Sequence, residues 1–367
     1  MTKSAEAILN GKTRPKARGT AKGLRNAGAR PLKIGTRGSE LALWQARRVA
    51  ELLAVRRGAP PLELVRIRTE GDARPDIPLW QAGGRAFFTR EIDRAVLSGE
   101  VDAAVHSLKD LSTVLDTGLV LSAVLEREDP RDALLVRPGV GAGAHQAGAA
   151  ADQADPAALV QLPSGARVGT SSLRRRAFLA RARRDLELLE LRGNVPTRIE
   201  RLGEGRFEAI VLAAAGVKRL GLERHITAYL PPRLFTPAVS QGAIGVVCRE
   251  TDAETARWLS ALDHAPTRIE TLAERALLRR VEGGCQVPLG ALGRLEGGRL
   301  TLIACVCALD GSESIAVEGA TELSVRALET ARERATRLGE QLAEELLAKG
   351  AGRIIAHQRA PAAVEPP

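Results

Sequence analysis

Aromatic residues are scarce: five Phe, three Trp and one Tyr make up 2% of 367 residues. A protein that grips single-stranded nucleic acid by stacking needs more such platforms, which weighs against that class. Cysteine is sparse too, and Cys248, Cys285, Cys305 and Cys307 lack the paired spacing of zinc sites or small disulfide scaffolds. Reduced thiols and no metal site are therefore expected. No apolar run approaches the roughly 20 residues needed to span a bilayer. The chain also lacks the G-x-G-x-x-G and P-loop patterns, so a bound nucleotide has no fingerprint here.

The formal charge of +10 would suggest a nucleic-acid binder if it were spread evenly. It is concentrated instead. Residues 1–30 hold eight Lys or Arg against Glu6 alone, leaving +3 for the other 337 residues. This leader has neither the apolar core nor the cleavage signature of a secretory peptide. Its composition suits a solvated, disordered tail, with an organelle transit peptide as the lesser alternative; a cytoplasmic location is the expectation.

What is present is α/β grammar. Leu32 to Gly35 reads as a strand, Ser39 as the N-cap of an amphipathic helix to about Val55, and residues 62–68 as the next strand. A helix over 89–97 and a buried strand over 101–105 follow, implying a largely parallel sheet. Strand signals recur at 133–136, 166–169, 186–189 and 207–212. After Ala265 comes a helix through Arg280, a Gly-rich turn, several strands and a long helix over 323–348. In Leu302 to Ala308, Cys305 and Cys307 fall two apart, on one strand face, as packing residues. The predicted organisation is a leader (1–30), a first α/β domain (31–127 with 243–260), a second (131–238, with an Ala/Gly-rich excursion at 139–163), a C-terminal α+β domain (265–358) and a tail (359–367).

Three strand-to-helix turns combine hydroxyls, backbone N–H groups and arginines: Thr36-Arg-Gly-Ser39, Thr170-Ser-Ser-Leu-Arg-Arg-Arg176 and Leu191-Arg-Gly-Asn-Val-Pro-Thr-Arg198. Each could cap a helix or hold one anion; together they describe a cleft for a polyanion. His106-Ser-Leu-Lys-Asp110 follows a strand, where α/β sheets carry ligands. Lys109 and Asp110 are either a functional base and acid or a surface pair. In Glu282-Gly-Gly-Cys-Gln-Val-Pro288, Cys285 sits in an unhindered turn and is either a reactive thiol or a small packed one.

These strings resemble the hydroxymethylbilane synthase family from about Leu32 to Ile355. The match includes Leu41-Ala-Leu-Trp-Gln-Ala46, His106 to Asp110, Glu128-Asp-Pro-Arg-Asp132, Gly169 to Arg175, Leu191 to Asn194, Leu220 to Glu223, Gln241-Gly242 and Glu282 to Pro288. The resemblance implies two periplasmic-binding-protein-like α/β domains around a cleft, with a smaller C-terminal α+β domain that presents a cysteine loop. It implies a dipyrromethane cofactor in thioether linkage to Cys285, onto which four porphobilinogen units are condensed with loss of ammonia before hydrolysis releases hydroxymethylbilane. By resemblance, Asp110 is the catalytic carboxylate, and Lys109, Thr170, Ser172, Arg174, Arg175 and Gln241 hold or shape the cofactor site. Arg37, Ser39, Arg85, Phe88, Arg192, Arg198 and Arg219 take the substrate side. A monomer acting on a small molecule, without nucleic acid or membrane, is expected. Glu40, Glu70 and Gln81 depart from the family pattern by removing or opposing positive charge.

A rival from another class is a non-catalytic two-domain anion-binding protein. It accounts for the arginines but gives Cys285 no role, and it calls for an export signal or an attached DNA-binding module. The sequence displays neither pattern.

Overall fold

The computed structural model describes residues 30–69, 89–140, 159, 161–281, 287–323 and 327–359. In chain order the strands are β1 (Leu32–Thr36), β2 (Leu62–Arg66), β3 (Ala103–Ser107), β4 (Leu119–Val124), β5 (Asp132–Val136), β6 (Arg167–Gly169), β7 (Glu187–Leu189), β8 (Ala209–Ala213), β9 (Ala228–Tyr229), β10 (Ile244–Arg249), β11 (Leu289–Glu296), β12 (Arg299–Cys307) and β13 (Ser314–Glu322). The helices are α1 (Glu40–Ala54), α2 (Arg90–Leu97), α3 (Leu173–Ala182), α4 (Val195–Gly203), α5 (Ala214–Arg219), α6 (Ala253–Ser260), α7 (Ala265–Arg280), α8 (Leu328–Ala348) and α9 (Ala351–Arg359).

Two five-stranded sheets share one plan, β2-β1-β3-β10-β4 and β7-β6-β8-β5-β9. In each, four strands run the same way, as expected of a largely parallel sheet, and the strand fourth in that order runs against them. The physical cause is connectivity. β5 and β10 are the first strands after the chain crosses from one sheet to the other, so they enter without the helical crossover that parallel neighbours require. The expected strand over 101–105 lies two residues further on, which places His106 and Ser107 inside β3.

Ser39 caps α1 as expected, its Oγ accepting from the Ala42 N–H at 3.3 Å. The helix buries Ala46, Val49 and Leu53 on the first sheet because their spacing puts them on one face. The two linkers between the lobes, 125–131 and 230–243, lie side by side. Leu125 N–H donates to Ile244 O at 3.0 Å and Glu128 N–H to Gly242 O at 3.1 Å. A Cβ on Gly242, whose φ is +92°, would lie 2.2 Å from Glu128 O, so this approach requires glycine.

The C-terminal sheet, β11-β12-β13, is antiparallel. Period-2 alternation splits β12. Leu300, Leu302, Ala304 and Val306 pack with α7 and α8, while Cys305 and Cys307 join the core of the second lobe beside Phe178 and Phe235. The packing role read for those thiols therefore holds, and it glues two units together. The long helix begins at Leu328 rather than 323, and α9 was not foreseen as a separate helix.

Candidate functional site

The first lobe offers two strand ends. After β1, Thr36 Oγ1 donates to Ala42 O at 3.1 Å and Ser39 caps α1, so Arg37 and Ser39 stand at that helix's N-terminus. Glu40 is the first, exposed residue of the helix, where its charge complements the dipole. After β3 the chain makes a 3-10 turn over Leu108–Asp110, fixed by Leu108 N–H donating to Ala243 O at 3.0 Å. Lys109 keeps part of its surface open. Even so, burial around its ammonium pulls its pKa down to about 8; Asp110 opposes that fall, while Arg175 and Arg174 add to it.

The second lobe places Thr170, Ser171 and Ser172 between β6 and α3. Ser172 caps α3 by accepting from Arg175 N–H, and buried Thr170 accepts from Ser172 N–H at 3.3 Å. Arg174 and Arg175 turn inward to Asp132, the fully buried first residue of β5. Arg174 donates to it at 2.8 and 3.2 Å, and Arg175 at 3.0 Å. Gln241 completes the group, its Nε2 reaching Asp132 at 3.0 Å and Pro130 O at 2.8 Å. Burial alone would raise the Asp132 pKa, but the two guanidiniums hold it well below the usual carboxylate range. One carboxylate against two guanidiniums leaves a net positive charge at the base of this turn. Arg176 departs from the cluster, donating to Leu188 O.

Asn194 caps α4, and Arg198 on that helix donates to Gly193 O at 2.7 Å. Burial lowers the Arg198 pKa to about 10, with Arg175 and Arg192 pushing the same way and Asp110 opposing them. Arg192 Nε lies 3.4 Å from Glu190 Oε1 as an ion pair, while its Nη2 and the Nε of Arg174 are buried with no hydrogen-bond acceptor among the described residues. Arg219, lowered to about 10 chiefly by burial, donates to Gly242 O at 2.6 Å and lies 5.6 Å from the Trp44 ring of α1. Lys218 beside it pairs with Glu128 at 2.6 Å.

The fold thus brings Lys109 and Asp110 of one lobe into electrostatic reach of Arg174, Arg175 and Arg198 of the other. Gln241 is almost fully buried, bracing Asp132. Cys285, Arg85 and Phe88, like Glu70 and Gln81, lie outside the described residues. Sequence reasoning assigned no role to Asp132, Arg127, Glu274 or Arg275. Asp132 was visible as the end of Glu128-Asp-Pro-Arg-Asp132, but a lone Asp before an apolar run carries no signal of a two-arginine partner 42 positions away. No cluster of three His, Cys, Asp or Glu among the described residues could hold a metal ion.

Two family descriptions match the chain: "Porphobilinogen deaminase, dipyromethane cofactor binding domain" over residues 32–257, and "Porphobilinogen deaminase, C-terminal domain" over residues 268–348. Similar relatives include a porphobilinogen deaminase of Pelobacter propionicus, 44% identical over 326 residues, covering 89% of this chain and 96% of the relative. Another, from Desulforudis audaxviator, is 46% identical over 334 residues, covering 90% and 99% respectively. Among solved structures, the periplasmic aliphatic sulphonate binding protein SsuA of Escherichia coli aligns over 89% of this chain and 92% of its own, at 12% identity and a TM-score of 0.35.

Proposed function

The chain belongs to the porphobilinogen deaminase family, and from that membership we propose that it is a transferase making hydroxymethylbilane from four porphobilinogen molecules. In each cycle the aminomethyl carbon of one porphobilinogen forms a carbon–carbon bond with the free pyrrole α-carbon of the growing chain. Its carbon–nitrogen bond breaks, ammonia leaves and the α-proton is released; after the fourth unit, hydrolysis frees the linear tetrapyrrole. When bound, the dipyrromethane supplies the first free α-position, and Cys285 is the proposed thioether anchor.

The observation that carries this reading at residue level is the cation surplus facing Asp110 across the lobes. A chain that gains an acetate and a propionate with each ring needs fixed cations, and guanidiniums pair with carboxylates bidentately. Arg192 Nη2 and Arg174 Nε, buried without a hydrogen-bond acceptor among the described residues, fit such a group. In this reading Lys109, Arg37, Ser39, Arg85, Ser172, Arg175, Arg198 and Arg219 hold or orient carboxylates, and Phe88 shapes the cleft. Asp110 accepts pyrrole N–H groups and stabilises the positive charge that develops as ammonia departs. The anion-binding alternative gives Asp110 and Cys285 nothing to do. No helix among the described residues is long and apolar enough to cross a membrane. The proposal carries with it a cytoplasmic monomer that needs no nucleic acid.

Intact mass of the purified protein, before and after mixing with porphobilinogen, tests the proposal. A resting excess of two linked pyrrole rings followed by one-ring steps is the expected result, and Cys285→Ala should abolish both. A mass that porphobilinogen never changes would overturn it.

A further inference from the structure

The turn that carries Lys109 and Asp110 is held from both flanks. Ahead of it, Ser107 does not cap the turn; its hydroxyl pairs with buried Gln45 of α1, Gln45 Nε2 donating at 2.8 Å. Behind it, Arg275 of α7 donates from Nη1 to Leu111 O at 3.1 Å and from Nη2 to Ser112 O. Asp110 therefore sits on a short peptide whose exit is tied to a helix of the C-terminal unit, the helix whose sequence runs on to Cys285.

That helix is itself immobilised. Glu274, next to Arg275 and fully buried, accepts from Arg127 Nη1 at 2.6 Å, Ser240 N–H at 2.6 Å and Gly293 N–H at 2.8 Å. One carboxylate thus joins both inter-lobe linkers to β11. Thr267 Oγ1 accepts from Arg127 N–H at 3.1 Å, and Arg268 Nη2 donates to Leu121 O at 3.2 Å. A guanidinium projecting from so fixed a helix onto two successive carbonyls sets the position of the peptide they belong to.

We propose that Arg275 is a positioning residue for the reaction, registering the Asp110 carboxylate against the C-terminal unit through the carbonyls of Leu111 and Ser112. The inference rests on the catalytic role proposed for Asp110. It differs from simple stabilisation in one respect: Arg275 matters to turnover only while Asp110 is there to be positioned.

The experiment is a kinetic double-mutant cycle of Arg275→Ala and Asp110→Ala in the cofactor-loaded enzyme. Intact mass first checks that each variant carries its two-ring adduct, then follows ring addition. Arg275→Ala alone should lower kcat about 10- to 100-fold with KM changed less than about 3-fold, the scale of a misplaced catalytic group. In the Asp110→Ala background the same substitution should cost less than about 2-fold. Equal losses in both backgrounds, or no loss in either, would overturn the proposal. Normal turnover by Asp110→Ala alone would instead remove the underlying site reading. Should Arg275→Ala fail to fold, Arg275→Lys serves. Its single ammonium cannot match the planar fork, so it should lose part of kcat beside Asp110 and almost none without it; equal losses would again overturn the proposal.

Discussion

Asp132 has no exposed surface and accepts from two guanidiniums and an amide. Replacing its carboxylate by the amide of Asn would leave Arg174 and Arg175 as two buried like charges. Asp132→Asn should therefore cost about 3–5 kcal/mol of stability, read from urea unfolding; a loss below about 1 kcal/mol would show that solvent neutralises the pair. The sign with pH follows from the depressed pKa. The stabilisation is complete above the unfolded Asp value of about 4 and fades as pH falls through the lower folded value. At this scale the anion turns were legible, because hydroxyls and arginines after a strand announce themselves. The buried carboxylate behind them was not, since it arrives on a strand from elsewhere in the chain.

Among the elements, the paired linkers are the most exacting. Gly242 meets Glu128 O at a distance no Cβ tolerates, and its positive φ penalises any L side chain. Gly242→Ala should cost about 2 kcal/mol or more, seen as a lower Tm, and should reduce kcat as the linkers part. An unchanged Tm would mean that the linkers separate freely. The strands and helices themselves were largely readable from apolar periodicity, down to the Ser39 cap and the shared face of Cys305 and Cys307. The one reversed strand in each sheet was not. β5 and β10 have the same apolar character as the strands they run against, and only the path of the chain between lobes reverses them.

For the whole molecule, the relevant charge is local rather than net. Lys109, with a pKa of about 8, is the titrating member of the cation set. Below pH 8 it is charged and can pair with carboxylates; above it the charge is lost. Turnover should therefore fall as pH passes about 8 and the cofactor carboxylate held by Lys109 is released, and Lys109→Arg should remove that limb because guanidinium stays protonated. Turnover flat from pH 7 to 9.5 in the native enzyme would take Lys109 out of cofactor binding. By itself the sequence determined the α/β class, the family and the residue types available for chemistry, because periodicity and local strings are properties of neighbours along the chain. Tertiary structure alone decided that Asp132 collects two arginines, that Gln241 braces Asp132, and that Arg275 reaches the Asp110 turn. Each of those joins residues far apart in the chain, and only packing selects such partners.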